Sequence, residues 1–255
     1  MTAARLAGLT LLVSILVAGI SKGPPAHEDA APPATPKPAP APRRPWRPVR
    51  PGENAETTPD VAKSQAGPRD PGPQEAGKVS PDGKEEIAVD LPESEKKRNV
   101  GGRDGAGLCV FTSIEYAARW QNERRLIDLQ ARMKREPGGG YPDKVAAMIK
   151  KYGAGSPYVQ YEGNDASILK AALRSGRMPC VTYNGHDCHY NGTIAHMVTL
   201  VHLSDRWACI GDNNFTKDNQ YVWMTPNQFL QRWRGNQQGW CVVLLHAPPP
   251  PVPHN

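Results

Sequence analysis

Aromatic residues and cysteine are almost missing from the first two-fifths of this 255-residue chain, where residues 1–98 hold one aromatic, Trp46, and no cysteine. A stretch so poor in large apolar side chains cannot bury enough surface to offset the entropy of ordering it, which excludes a second globular domain there. Proline is abundant instead: 17 of the 27 prolines lie between Pro24 and Pro92. Residues 22–98 therefore read as a disordered, extended, partly polyproline linker. They show no amphipathic periodicity, so a linker is favoured over a helical pro-segment that blocks a site. Long apolar runs are also lacking. The longest, residues 6–20, falls short of the roughly 20 residues of a membrane span. Preceded by Arg5, it has the layout of a signal peptide or N-terminal anchor over residues 1–21. The expectation is an exported protein, secreted, periplasmic or membrane-anchored, whose N-terminal segment contacts the membrane.

Other absences narrow the function. The glycine-rich loop Gly101–Gly107 lacks the lysine and the strand–loop spacing of a phosphate binder, and nothing points to a flavin or another cofactor. His186-Asp187-Cys188-His189 is only a fragment of a metal site, with no second pair of ligands in the sequence. No metal is expected. The formal charge of +6 comes from the part after residue 98, mostly from helix-forming sequence that also carries Glu123, Asp128, Glu136 and Asp143. Mixed signs of this kind read as a solvated helix surface, and no nucleic-acid partner is expected.

What the chain does have is concentrated in residues 99–246, long enough for one core, with 247–255 a second proline-rich tail. After Cys109, the spacing of Val110, Ile114, Ala117, Ala118 and Gln121 predicts a helix. Leu126, Leu129 and Met133 predict a second, closed by Pro137-Gly-Gly-Gly140. A third starts at Pro142 and stops at Gly153, and a fourth is capped by Asn164 or Asp165 and ends at Gly176. Strands are expected near 158–161, 179–183, 194–203, 206–211, 221–224 and 240–245. Thr225-Pro-Asn-Gln228 reads as a capping box opening one more helix. Helices first and antiparallel strands after give an α+β domain, plausible as two lobes with a cleft between them.

The chemistry centres on Cys109. A thiol at a helix start sits beside unpaired N–H groups and the positive end of the macrodipole, which favour the nucleophilic thiolate. Such a cysteine needs a base. Among seven histidines, His196 opens a strongly apolar strand, where a polar ring needs partners or a function. His202 shares its face. If strands 194–203 and 206–212 pair as a hairpin through Ser204-Asp205, Asp212 arrives beside His196 as an orienting carboxylate, with Asn213 the alternative orienter. The other four cysteines, Cys180, Cys188, Cys209 and Cys241, fit either disulfides or small buried side chains.

Gly107-Leu-Cys109, His196-Met-Val-Thr-Leu200 and Gly211-Asp-Asn-Asn214, in this order, resemble the papain-like cysteine peptidases, most closely the bacterial C39-like branch. The resemblance implies a two-lobed papain-like fold and a thiol hydrolase acting on a peptide or protein substrate. Cys109 would be nucleophile, His196 base, and Asp212 or Asn213 orienter. In that family a glutamine six residues before the cysteine helps bind the oxyanion. Here the position is Arg103, which would be the second oxyanion donor. An acyl transferase or cell-wall amidase with the same dyad, and an inactive binding module, are the other readings.

Overall fold

The computed structural model describes Pro68, Gly72, Pro73, residues 77–235 and residues 238–247. The expected signal or anchor segment, the linker up to residue 67 with Trp46, and the tail from residue 248 lie outside the described residues. No helix among the described residues is long and apolar enough to cross a membrane.

Among the described residues, five α-helices and six strands make an α+β fold. The order is α1 (Cys109–Trp120), α2 (Leu129–Met133), α3 (Pro142–Tyr152), β1 (Tyr158–Gly163), α4 (Ser167–Arg174), β2 (Cys180–His186), β3 (Thr193–Leu203), β4 (Ala208–Gly211), β5 (Tyr221–Met224), α5 (Pro226–Arg234) and β6 (Gly239–Leu244). The strands form one sheet in the order β1-β6-β2-β3-β4-β5, antiparallel at every pairing. Helix α1 buries Phe111, Ile114, Ala117 and Ala118 completely, and its neighbours are α2 on one side and β3 on the other. Largely apolar helix and strand faces meeting this way are the main source of stability.

Local chemistry explains most boundaries. Pro142 occupies the first turn of α3, where its missing N–H costs nothing. At α5, Thr225 and Gln228 form the reciprocal capping box, and Gly235 with φ of 53° ends the helix. Inside α5, Trp233 lies so close to β6 that a Cβ on Gly239 would come within 2.2 Å of its indole. Only glycine fits that approach. The β3–β4 turn is held by Ser204, whose hydroxyl accepts from the Arg206 and Trp207 N–H groups, both at 3.0 Å.

Several expectations change. The second helix is split into a 3-10 turn, Arg124–Leu126, and the short α2. The residue preceding α4 is Ala166, and Asp165 accepts from the Ser167 N–H at 2.9 Å just before it. Strand β1 precedes α4 and α5 falls between β5 and β6, the order expected from the sequence. All five cysteines are free thiols, with Cys180, Cys209 and Cys241 buried. The largest correction concerns residues 77–98, which belong to the packed domain and not to a linker. Val89 and Leu91 are buried. The Ala88 and Val89 N–H groups donate to the Val201 carbonyl. That carbonyl is available because the β3–β4 register slips between Leu200 and His202, leaving Val201 unpaired with β4. Two apolar side chains in a polar stretch are too few to register as a folded segment in composition.

Candidate active site

Cys109 is the first residue of α1, and Leu108 before it provides no side-chain cap. The thiol therefore sits among first-turn N–H groups that have no intrahelical acceptors. It is partly buried and lines one cleft with His196. His196 projects from β3, four residues from its start, and is 8% exposed. Its Nε2 lies 2.9 Å from Asp212 Oδ1. A carboxylate only accepts, so Nε2 donates, and the other ring nitrogen is left for the thiol.

Asp212 follows β4 directly, just past the last ladder pair, Thr199 with Gly211. Two further donors hold its buried carboxylate besides His196. The Tyr190 hydroxyl donates to Oδ2 at 2.5 Å, and the Asn214 N–H donates to Oδ1 at 2.8 Å. The Asn214 side chain in turn donates to the Tyr190 oxygen at 2.9 Å. Tyr190 and Asn214 were not singled out from sequence; one comes from the β2–β3 connection and reaches Asp212 only through tertiary packing.

The charges are mutually dependent. Burial pushes the Cys109 thiol up, but the charge and hydrogen bond of His196, with backbone bonds from Met197 and Val110, outweigh it and hold the thiol below its ordinary 9.0. Burial lowers the His196 imidazole, and Asp212 and Cys109 overcome this and push it up to about 10. Burial raises the Asp212 carboxyl, while His196, Tyr190 and the Asn214 N–H bring it below its ordinary value. The arrangement thus favours thiolate, imidazolium and carboxylate together.

Asn213, the alternative orienter, has a different place. Its amide nitrogen donates to the Cys109 carbonyl at 3.0 Å, the Ser113 hydroxyl at 2.9 Å and the Met197 carbonyl at 3.0 Å. Ser113 also donates to the Met197 carbonyl at 3.0 Å. These bonds fasten the first turn of α1 to β3 and so set the thiol beside the imidazole. Arg103 is placed outside the cleft: it is exposed, and its N–H donates to the Glu136 carbonyl at 3.1 Å. Asn99 does line the cleft; its amide nitrogen lies 3.3 Å from where a Cβ on Gly107 would be, and its backbone N–H donates to the Asn213 carbonyl. His202 is not in the site. Its Nε2 is 2.8 Å from Glu85, fastening residues 77–98 to the sheet.

Cys109 and His196 open on a cleft of about 450 Å³ lined also by Asn99, Gly107, Gly139, Gly140, Ala195, Asn214 and Trp240. Apart from the thiol–imidazole pair, its lining side chains are uncharged. Gly139 and Gly140 of the 138–140 loop form part of its wall: Gly139 has a φ of 69°, which favours glycine, and a Cβ on Gly140 would lie 2.5 Å from Val110, while one on the adjoining Gly138 would overlap the Ala106 carbonyl at 1.9 Å. From sequence this loop reads only as a helix stop. No family model matches the chain, and no curated protein matches it.

Proposed function

We propose that this chain is a thiol hydrolase of papain-like type that opens a peptide or amide bond through a thioester on Cys109. The observation that carries the reading is that Cys109 and His196 line one cleft, with the His196 Nε2 held 2.9 Å from the buried Asp212 carboxylate. The Cys109 thiolate attacks the carbonyl carbon, and the oxygen takes up the negative charge. First-turn N–H groups of α1 and the Asn99 amide are the donors nearest to receive it. Collapse expels the amine, which takes its proton from His196. Water then attacks the thioester, giving its proton to His196 and releasing the acid and the thiolate. Asp212 keeps the imidazole oriented and stabilises its charged form.

The uncharged lining suits a substrate with neutral groups next to the reacting bond. Trp240 Nε1 and Asn99 Oδ1 are buried without a hydrogen-bond partner among the described residues, and both residues line the cleft. An indole N–H and an amide oxygen are what a peptide backbone needs as donor and acceptor. The apolar N-terminal run supports an exported setting for this activity.

The reading is tested by incubating the full chain with peptide and muropeptide mixtures, then quenching in acid. Expected are new termini in the products and an acyl adduct on Cys109, both lost in Cys109→Ala. Cleavage that persists in that variant, or neither products nor adduct from any mixture, contradicts it.

A further inference from the structure

A second cluster of reactive side chains lies at the end of β2, among residues that do not line the cleft. Asp187 is 4% exposed, so its carboxylate is buried. One oxygen accepts from the Tyr183 hydroxyl at 2.6 Å and the other from the His189 backbone N–H at 2.8 Å. Both donors are neutral. Among the described residues no lysine, arginine or histidine nitrogen comes within 4.0 Å of this carboxylate; the nearby Arg232 lies over the Tyr183 ring. This contrasts with Asp212, which has His196. A buried carboxylate ordinarily has a cationic partner or a metal ion.

The missing cation has donors waiting beside Asp187. A carboxylate oxygen of Asp187, the Cys188 sulfur and a ring nitrogen of His189 all lie within 4.8 Å of one another. Cys188 is exposed, and His189 is half-buried with its ring against the edge of Phe215. We propose that Asp187, Cys188 and His189 bind one divalent transition-metal ion of the zinc class, with a fourth position open to water. A sulfur, nitrogen and oxygen donor set excludes magnesium and calcium, which take oxygen ligands, and suits zinc or cobalt. Metal–ligand distances of about 2.0–2.3 Å at tetrahedral angles separate ligand atoms by about 3.3–3.8 Å. The cluster therefore closes by about 1 Å on binding, within reach of side-chain rotation by Cys188 and His189. Tyr183 and the His189 N–H already orient the carboxylate, as a supporting shell does in protein metal sites. Loading the site releases the Cys188 thiol proton.

The proposal is independent of the hydrolase reading, and its test removes the catalytic thiol. In the Cys109→Ala chain, zinc is titrated against a chromophoric chelator, and cobalt(II) is used as an optical probe. Expected are one bound equivalent and a thiolate-to-cobalt charge-transfer band. Adding Cys188→Ser should abolish the band. Cys188→Ser and His189→Ala should each weaken zinc binding at least tenfold, since each removes a ligand outright. Both positions are accessible enough that circular dichroism should stay unchanged. No saturable single site, or a site and band indifferent to Cys188→Ser and His189→Ala, overturns the proposal.

Discussion

Glu115 and Asp212 are carboxylates of nearly equal burial, 1% and 2% exposed, yet they are held in opposite ways. Glu115, six residues along α1 from the thiol, is 2.8 Å from Lys97 Nζ and 2.9 Å from Arg119 Nη2, and it accepts the Gln130 N–H at 2.8 Å. The cluster is a brace joining α1, α2 and the segment before residue 99. Asp212 has one partner whose charge can change, His196, and otherwise neutral donors. Its partner His196 lines the cleft, whereas Lys97, Arg119 and Gln130, the partners of Glu115, do not. Equal burial does not separate structural from chemical acids; the ability of the partner to gain and lose a proton does.

The largest effect that distinguishes the two regions is expected at Asp212. Asp212→Asn keeps the shape but removes the charge that sustains the imidazolium, and kcat/KM for amide cleavage should fall by about 10²–10⁴-fold. Denaturant titration should show a smaller change in stability. Glu115→Gln should do the reverse. It strands Lys97 and Arg119 beside a neutral amide, with a stability loss of about 3 kcal/mol by urea unfolding. Activity per folded molecule should stay within about threefold of the parent, as the brace touches no reacting atom. A Glu115→Gln chain that is stable but inactive would break the comparison.

The pH dependence of stability sharpens it further. His196, raised to about 10 in the folded state from an ordinary 6.5, contributes stability that is complete below about pH 6.5 and lost as pH rises toward 10. Asp212, lowered from 3.8, contributes stability present above that value and lost as pH falls through its folded pKa. Cys109, lowered from 9.0, contributes with the opposite sign, present above 9.0 and lost as pH falls through its folded value, and so offsets the His196 loss in the parent chain. In Cys109→Ala, which removes that offset, melting temperature should decline as pH rises above 6.5, and adding Asp212→Asn should flatten the decline. The smallest effect is expected for Tyr190→Phe, which deletes one neutral donor to Asp212 and leaves His196 and the Asn214 N–H in place. A rate loss of about 3–10-fold corresponds to one such hydrogen bond. A loss as large as that of Asp212→Asn would mean that the tyrosine takes part in the chemistry.

Much of the site was legible because it depends on local patterns. Cys109 stands at a helix start, His196 near the head of a strand, and Asp212 at the end of the next strand across a four-residue turn. Those three facts follow from periodicity and turn chemistry, and the fold brings the residues together. Asn213 could not be separated from Asp212 by sequence, since neighbours leaving a strand point to opposite sides. One side faces the imidazole and the other the underside of α1. Arg103 was assigned by counting back from Cys109, but the glycine-rich loop between them turns on itself through Gly102 and Gly105 and carries the side chain to the surface. Tyr190, Asn214 and Asn99 had no signal of their own, because each is recruited by contacts between segments far apart in the chain. Residues 77–98 were hidden for the same reason: their anchoring rests on a carbonyl exposed by a register slip at Val201, and no composition records that.

The central claim is that His196 keeps Cys109 as a thiolate, and the rate of alkylation at each cysteine tests it most directly. Iodoacetamide modification of Cys109 and of the exposed Cys188 is followed by mass spectrometry from pH 4 to 10 in the parent chain and in His196→Ala. The account predicts that Cys109 outpaces Cys188 at pH 6 despite being less exposed. It also predicts that His196→Ala moves the Cys109 midpoint upward, because burial is then opposed only by the backbone bonds from Met197 and Val110. A Cys109 no faster than Cys188 at pH 6, or a profile unchanged in His196→Ala, would contradict it.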